Sequence, residues 1–380
     1  MRLHETNSFG YFNLRGNFKN SQIVFTVMQK GRIAFLGGSI TTMSWVGMVC
    51  EHIQKIFPQT EFDFINAGIP SMGSTPDAFR LTRDVFSRGK VDMLFVDAAV
   101  NDSINGRTSV EQIRAMEGIV RQSRRINPEI DIVFIYFADP EKIKSYSERS
   151  VPDVIKNHEN VAKHYSISSI NLALEVFDRI DHDEFSWEED FKDLHPSMFG
   201  QTIYAHSISR FLDAAWHDGI TENGKVEANI LPAPIDSLNY DRPHLIEIKE
   251  AIKLNGFTYK PKWRNGDNCD TRLGFVDVPM LIGEKPGDSF VLKFDGNIVG
   301  LWVVAGPDAG IIEYSIDNSD WQKLDLFTKW SKNLHIPWLY ILNVQLTNHQ
   351  HVLTIHINSE KNPFSHGYAC RIAIFVVNGE

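Results

Sequence analysis

Four short polar clusters hold the residue types needed for acyl transfer. Gly37–Thr41 (Gly-Gly-Ser-Ile-Thr) presents a hydroxyl, and Asn66–Ser74 is rich in glycine and turn formers. Val100–Asp102 places a carboxamide beside a carboxylate, and Asp193–Pro196 contains an imidazole. Brought to one place, they would supply a nucleophile, a base and hydrogen-bond donors for a developing oxyanion. Each is ambiguous alone. A serine after two glycines is also a favoured helix cap. His195 could be a structural histidine, Asn101 a turn former, and Gly68 and Gly73 turn glycines. Their conjunction and order along the chain make them a set.

For the clusters to meet, the elements between them must form a parallel sheet. Arg32–Leu36, Glu61–Ile65, Met93–Val96, Asp131–Phe137 and Ser169–Asn171 are strand-sized apolar runs. Between them lie helical patterns: Trp45–Ile56, a stretch through Phe79 and Phe86, Val110–Ile126, residues after Val151, and a last helix over Gly200–Trp216. Strand and helix in alternation predict parallel strands with crossover helices, buried on both faces. Ligands in such folds bind beyond the carboxyl ends of the strands. The first three clusters follow the first three strands, and the fourth precedes the last helix. There the Ser39 N–H would sit at the positive end of a helix. Thr41 occupies the place of the second glycine of G-x-S-x-G, which argues against a nucleophile elbow, and no Gly-Lys-Ser/Thr supports a phosphate loop.

A chain of 380 residues exceeds what one core usually organises, so two domains are expected, 1–220 and 221–380. From Gly219 onward helical periodicity gives way to turn signals, Asn223-Gly224 and Leu231–Pro234 among them. Short strands follow at Phe290–Phe294, Val299–Val304, Ile311–Ile316, Val352–Ile357 and Arg371–Val377. This predicts an all-β sandwich of jelly-roll-like type. Five of the eight tryptophans lie in this region, suited to a sandwich core or to a platform for sugar rings. His349 and His351 would share a strand face at a spacing zinc could use. No third ligand is near, so a solvated face is expected and no metal. Asp139 and Glu141 read as a solvated loop.

With 43% hydrophobic and 23% charged residues the composition is that of an ordinary globular protein. A net charge of −10 with no basic cluster excludes a nucleic-acid footprint and disfavours an anionic membrane surface. No apolar run approaches the roughly 20 residues of a membrane span. Three scattered cysteines without a C-x-x-C pair exclude a zinc ribbon or thioredoxin-type site. Met1–Tyr11 lacks the apolar region of a secretory leader. The expectation is therefore cytoplasmic as written, and periplasmic or extracellular if a leader was trimmed.

Taken in order, the four clusters resemble the blocks of the SGNH (GDSL-type) hydrolases, over roughly Gly31 to Trp216. The resemblance implies a flavodoxin-like three-layer α/β domain. It implies Ser39 as nucleophile with its N–H in the oxyanion hole, and His195 as general base. The second oxyanion donor would be the N–H of Ser71, where the family commonly has glycine, flanked by Gly68 and Gly73. The third would be the Asn101 amide. Three positions depart from the family pattern. Gly38 stands where aspartate is usual and Ala99 where glycine is usual. Lys192 occupies the place of the triad acid, three residues before the histidine. Asp193 is taken as the acid, with Asp190 and a backbone carbonyl as the other acceptors considered. Joined to a β-sandwich, such a domain resembles carbohydrate O-acetylesterases. The expected function is a serine esterase acting on acetylated carbohydrate, without metal or organic cofactor, its partner a small-molecule or glycan ester. The rivals are a lipase or thioesterase on the same site and a catalytically decayed glycan-binding protein.

Overall fold

The short apolar runs of the first half form one sheet in the computed structural model of the chain, which describes residues 10–16, 18–217 and 224–379. Its strands are β1 (Phe12–Asn13), β2 (Lys30–Gly37), β3 (Glu61–Gly68), β4 (Met93–Asp97), β5 (Asp131–Tyr136) and β6 (Ser168–Asn171). They lie in the order β1-β6-β5-β4-β2-β3, and all but the short β1 are parallel. The parallel strands thus have the flavodoxin-like order, which reverses between β2 and β4. β4 is buried along its whole length, as a sheet covered on both faces requires.

The helices are α1 (Lys19–Ile23), α2 (Trp45–Ile56), α3 (Ser74–Asp84), α4 (Ala99–Ile104), α5 (Ser109–Ile126), α6 (Pro140–Ser147), α7 (Asp153–His164), α8 (Leu172–Asp181) and α9 (Met198–Ala215). α2 packs on α9, while α5 packs on α3 and α7, which completes a three-layer α/β arrangement. α2 spans the residues its periodicity predicts. α5 begins at a Thr108–Glu111 capping box, which satisfies two orphan N–H groups at once.

The loop expected at Asp139 and Glu141 is instead the start of α6. Asp139 is only 2% exposed, caps the helix by accepting the Lys142 N–H at 2.9 Å, and pairs with the buried Lys142 ammonium. That ammonium also donates to the Ala99 carbonyl at 3.3 Å. Glu141 is exposed as expected. Asp139 reads as solvated from composition because its burial depends on a cation one helical turn away.

The chain divides into two compact units, residues 1–241 and 242–380. The expected division at 220/221, the turn at Asn223 and the first nine residues lie outside the described residues. Residues 224–241 belong to the first unit and run along α5. Asn229 N–H donates to the Pro128 carbonyl at 2.7 Å, and the Glu117 carboxylate accepts the N–H groups of Ile235 and Asp236. The α5 arginines Arg121 and Arg124 donate to the carbonyls of Pro232 and Ile230.

The second unit is a β-sandwich, one sheet of seven strands and one of five. Phe290, Leu301, Leu353 and Phe375 belong to the core between them. The five expected strands are present as Ser289–Gly296, Ile298–Ala305, Ile311–Ile316, His349–Ile357 and Cys370–Asn378. The unit also contains Leu334–Asn343, which Pro337 hides from a sequence reading. That strand pairs along its length with Ile298–Ala305, but on its other side only at Leu334 and His335. Proline is tolerated where one side of a strand is open. Trp263 and Trp302 are buried, whereas Trp321 and Trp330 are 51% and 41% exposed. The solvated face expected at His349 and His351 holds only for His349. His351 is buried, with Nδ1 bonded to Asp317 and Nε2 to the Thr347 carbonyl. Among the described residues no helix is long and apolar enough to cross a membrane.

Candidate active site

β2 ends at Gly37, and the chain turns through Gly38 and Ser39 into a single 3₁₀ turn, Ile40–Thr42. The Ser39 Oγ lies 2.7 Å from Nε2 of His195, 156 residues away in sequence. His195 sits between a single wide helical turn, Trp187–Phe191, and α9. The chain reverses between them at Lys192, whose φ of 85° is a strained conformation for a side-chain-bearing residue. Ser197 secures the far side of this loop, donating its N–H to the Phe191 carbonyl and its hydroxyl to the Asp190 carbonyl.

The loops after β3 and β4 close against the turn that carries Ser39. A Cβ on Gly38 would stand 2.0 Å from Oδ1 of Asn101 and 3.1 Å from the Met72 carbonyl oxygen. Asn101, in the first turn of α4, therefore packs its amide oxygen on the bare face of Gly38. A Cβ on Gly73 would meet Oδ1 of Asp102 at 2.4 Å. Gly68 ends β3 opposite Gly37 and lies against the Thr42 backbone. Ser71 has φ 72°, a left-handed conformation in which glycine is least strained. Its carbonyl is held by the Asn105 side chain at 3.1 Å. Among the described residues, the Ser39 N–H, the Ser71 N–H and the Asn101 carboxamide donate to no protein acceptor. Unspent donors on these neighbouring turns are the kind of group that can hold an oxyanion.

The acidic residues fall differently. Asp193 Oδ1 is 3.6 Å from His195 Nδ1, beyond hydrogen-bonding distance, and the same oxygen accepts the His195 backbone N–H. Both side chains are open to solvent, 67% and 49% exposed. Asp190 is turned away: its carboxylate accepts the Ser186 N–H at 2.8 Å.

Under the turn lies a buried polar layer that sequence reasoning missed. Arg80 is fully buried, bonded to Asp77 and Asp84, and donates to the Gly37 carbonyl at 3.1 Å. Asp97, at the end of β4, accepts the Thr41 hydroxyl at 3.3 Å. Burial, followed by the charge of Asp77, pushes its carboxyl up to about 7. Asp102 accepts the Ser74 N–H at the start of α3 and pairs with buried His158 at 3.0 Å, which joins α3, α4 and α7. Gln201 of α9 bonds both to Ser44 and to Pro196. Only Asp102, beside Asn101, carried any sequence signal. Asp97 reads as the polar end of a strand, and the rest resemble ordinary surface residues of amphipathic helices.

The model of the GDSL-like lipase/acylhydrolase family matches residues 35–203. No curated protein matches the chain in sequence. Among solved structures, a two-domain esterase active on acetylated mannans, co-crystallised with mannopentaose, is 20% identical. It covers 99% of each chain with a TM-score of 0.79. An acetylxylan esterase from Geobacillus stearothermophilus is 15% identical, covering 48% of this chain and 94% of its own, with a TM-score of 0.39.

Proposed function

We propose that this chain removes O-acetyl groups from carbohydrate through a serine acyl-enzyme, a reading supported by the match of residues 35–203 to the model of the GDSL-like lipase/acylhydrolase family. The observation that carries the reading is the 2.7 Å approach of the Ser39 hydroxyl to His195 Nε2, a distance suited to proton transfer. Ser39 Oγ attacks the acetyl carbonyl carbon while its proton passes to Nε2. The Ser39 and Ser71 N–H groups and the Asn101 amide hold the tetrahedral oxyanion. The imidazolium then protonates the departing sugar oxygen, and the C–O bond breaks to leave acetyl-Ser39. A water that gives its proton to His195 attacks that ester, and acetate leaves as Ser39 recovers its proton. Asp193, a nearby but solvated carboxylate, makes no direct hydrogen bond to the ring.

Two features support acetylated carbohydrate as the substrate class. The whole chain, sandwich included, is similar in fold to a two-domain esterase active on acetylated mannans. Trp321 and Trp330 are partly exposed on the second unit, with His356 against one ring and the Lys329 ammonium over the other, and sugar rings stack on exposed indole of this kind.

The test is acetate release from acetylated mannan and acetylated xylan, beside nitrophenyl acetate and nitrophenyl palmitate. Wild type, Ser39→Ala and His195→Ala are compared. Acetyl esters should be cleaved by wild type only, with circular dichroism unchanged in the variants. Undiminished turnover by Ser39→Ala would end the nucleophile assignment. A preference for the long acyl chain would favour a lipase, and glycan binding without cleavage a decayed site.

A further inference from the structure

The segments that carry Ser39 and His195 are joined by a side chain that takes no part in the steps above. Gln201 is the fourth residue of α9 and is 7% exposed. Its Oε1 accepts the Ser44 N–H at 2.9 Å, and its Nε2 donates to the Pro196 carbonyl at 3.0 Å. Ser44 lies five residues beyond the nucleophile, and Pro196 directly follows the base. The partners fix which end of the carboxamide is which, because a backbone N–H can only donate and a carbonyl can only accept.

We propose that Gln201 is a positioning residue that bridges the nucleophile segment and the base segment and so holds Ser39 Oγ in reach of His195 Nε2. The inference rests on the reading of those two residues as nucleophile and base. Its force comes from how lightly the base is otherwise held. Asp193 does not hydrogen-bond the ring, and the backbone passes through a strained residue at Lys192. Among the described residues, the other hydrogen bonds of residues 192–197, the Ser39–His195 bond aside, close within residues 186–201. They shape the loop but do not place it relative to Ser39. The Gln201 carboxamide does, by spanning to a residue 157 positions away. Only a group that donates and accepts at once fits: an ionised carboxylate could keep the Ser44 bond but would face the Pro196 oxygen without a proton.

The experiment measures nitrophenyl acetate hydrolysis and organophosphate labelling of Ser39 by the full chain. Gln201→Met keeps the length and apolar packing but loses both bonds. Its kcat should fall on the order of tenfold to a hundredfold, the scale of a small misplacement of reacting groups. KM should change little, the labelling rate should fall by the same factor as kcat, and circular dichroism should match wild type. Gln201→Glu should be impaired at about pH 8. Its rate relative to wild type should recover toward about pH 5, because burial favours a neutral carboxyl that can both donate and accept. A Met variant with wild-type kcat and labelling, or a change confined to KM, overturns the inference. If the Met variant does not fold, the Glu variant decides, and a ratio flat across pH overturns it. A wild-type protein that neither turns over nor labels at Ser39 refutes the esterase reading itself. An active wild type with an unaffected Gln201→Met removes only the role of Gln201.

Discussion

At position 38 the space an aspartate would need is filled by the Asn101 carboxamide, whose oxygen would lie 2.0 Å from a Cβ there. The departure from the family's usual residue is thus matched to the resting place of Asn101. Gly38→Ala should displace that side chain rather than unfold the protein, because the obstructing atom is a movable side-chain end. Turnover should fall on the order of tenfold to a thousandfold, up to the usual effect of losing one oxyanion donor. Steady-state kinetics beside Asn101→Ala would check this, and an undiminished kcat would count against Asn101 as a donor. The acid is a second question of placement. Asp193 is solvated and 3.6 Å from the ring, so in the proposed mechanism it acts on the ring only through a screened charge. Asp193→Ala should therefore lower kcat by only about tenfold, against roughly 10⁴-fold for a buried, hydrogen-bonded acid. Asp190→Ala should leave kcat near wild type, and a larger loss there than in Asp193→Ala would reverse the assignment.

Among the elements, β4 carries an unusual load for a buried strand. It ends in Asp97, whose Oδ1 finds no hydrogen-bond partner among the described residues and whose carboxyl is raised to about 7 by burial and by Asp77. The native state therefore holds this proton more tightly than the unfolded chain, where an aspartate titrates near about 3.9. More protons bound when folded means stability that is present at low pH and is lost as pH rises between those two values. The melting temperature of wild type relative to Asp97→Asn should accordingly decline from about pH 4 to about pH 7 and level off above. Thermal melts of both proteins across that range supply the measurement. A constant difference would show that Asp97 is not held protonated by the fold.

For the molecule as a whole, the proposed catalytic residues all lie within residues 1–241. The end of that unit matters to its stability. Glu117, fully buried, accepts two N–H groups from residues 235 and 236, and Arg124 donates to the Ile230 carbonyl. A fragment ending at 220 would strip Glu117 of both backbone donors, leaving it the Tyr165 hydroxyl, and would leave Arg124 only the Tyr165 carbonyl, at about 1–3 kcal/mol for each bond lost. Residues 1–241 should be soluble and cleave nitrophenyl acetate, while 1–220 should melt lower or aggregate. Melting curves and ester assays on the two fragments test this, and equal stability would show that residues 224–241 contribute little.

Local pattern carried much of this architecture. The apolar runs of β2 to β6 and the period of α2 are visible in the chain because burial on one face or both leaves a direct imprint on residue order. The family blocks likewise place Ser39, Ser71, Asn101 and His195 as candidates, since each must directly follow a strand or precede a helix. The tertiary structure decided what depends on burial, on partners remote in sequence or on how a loop turns. It paired Asp139 with Lys142 in the interior, buried His351 beside Asp317, and left Pro337 on the open side of a strand. It turned Asp190 away from His195, kept Asp193 at 3.6 Å, and tied the carboxamide of Gln201 to Ser44, 157 positions away. Hydrophobic periodicity reports which face of an element is covered. It is silent on which polar groups meet once the elements dock, because those meetings are set by distances that only the folded chain defines.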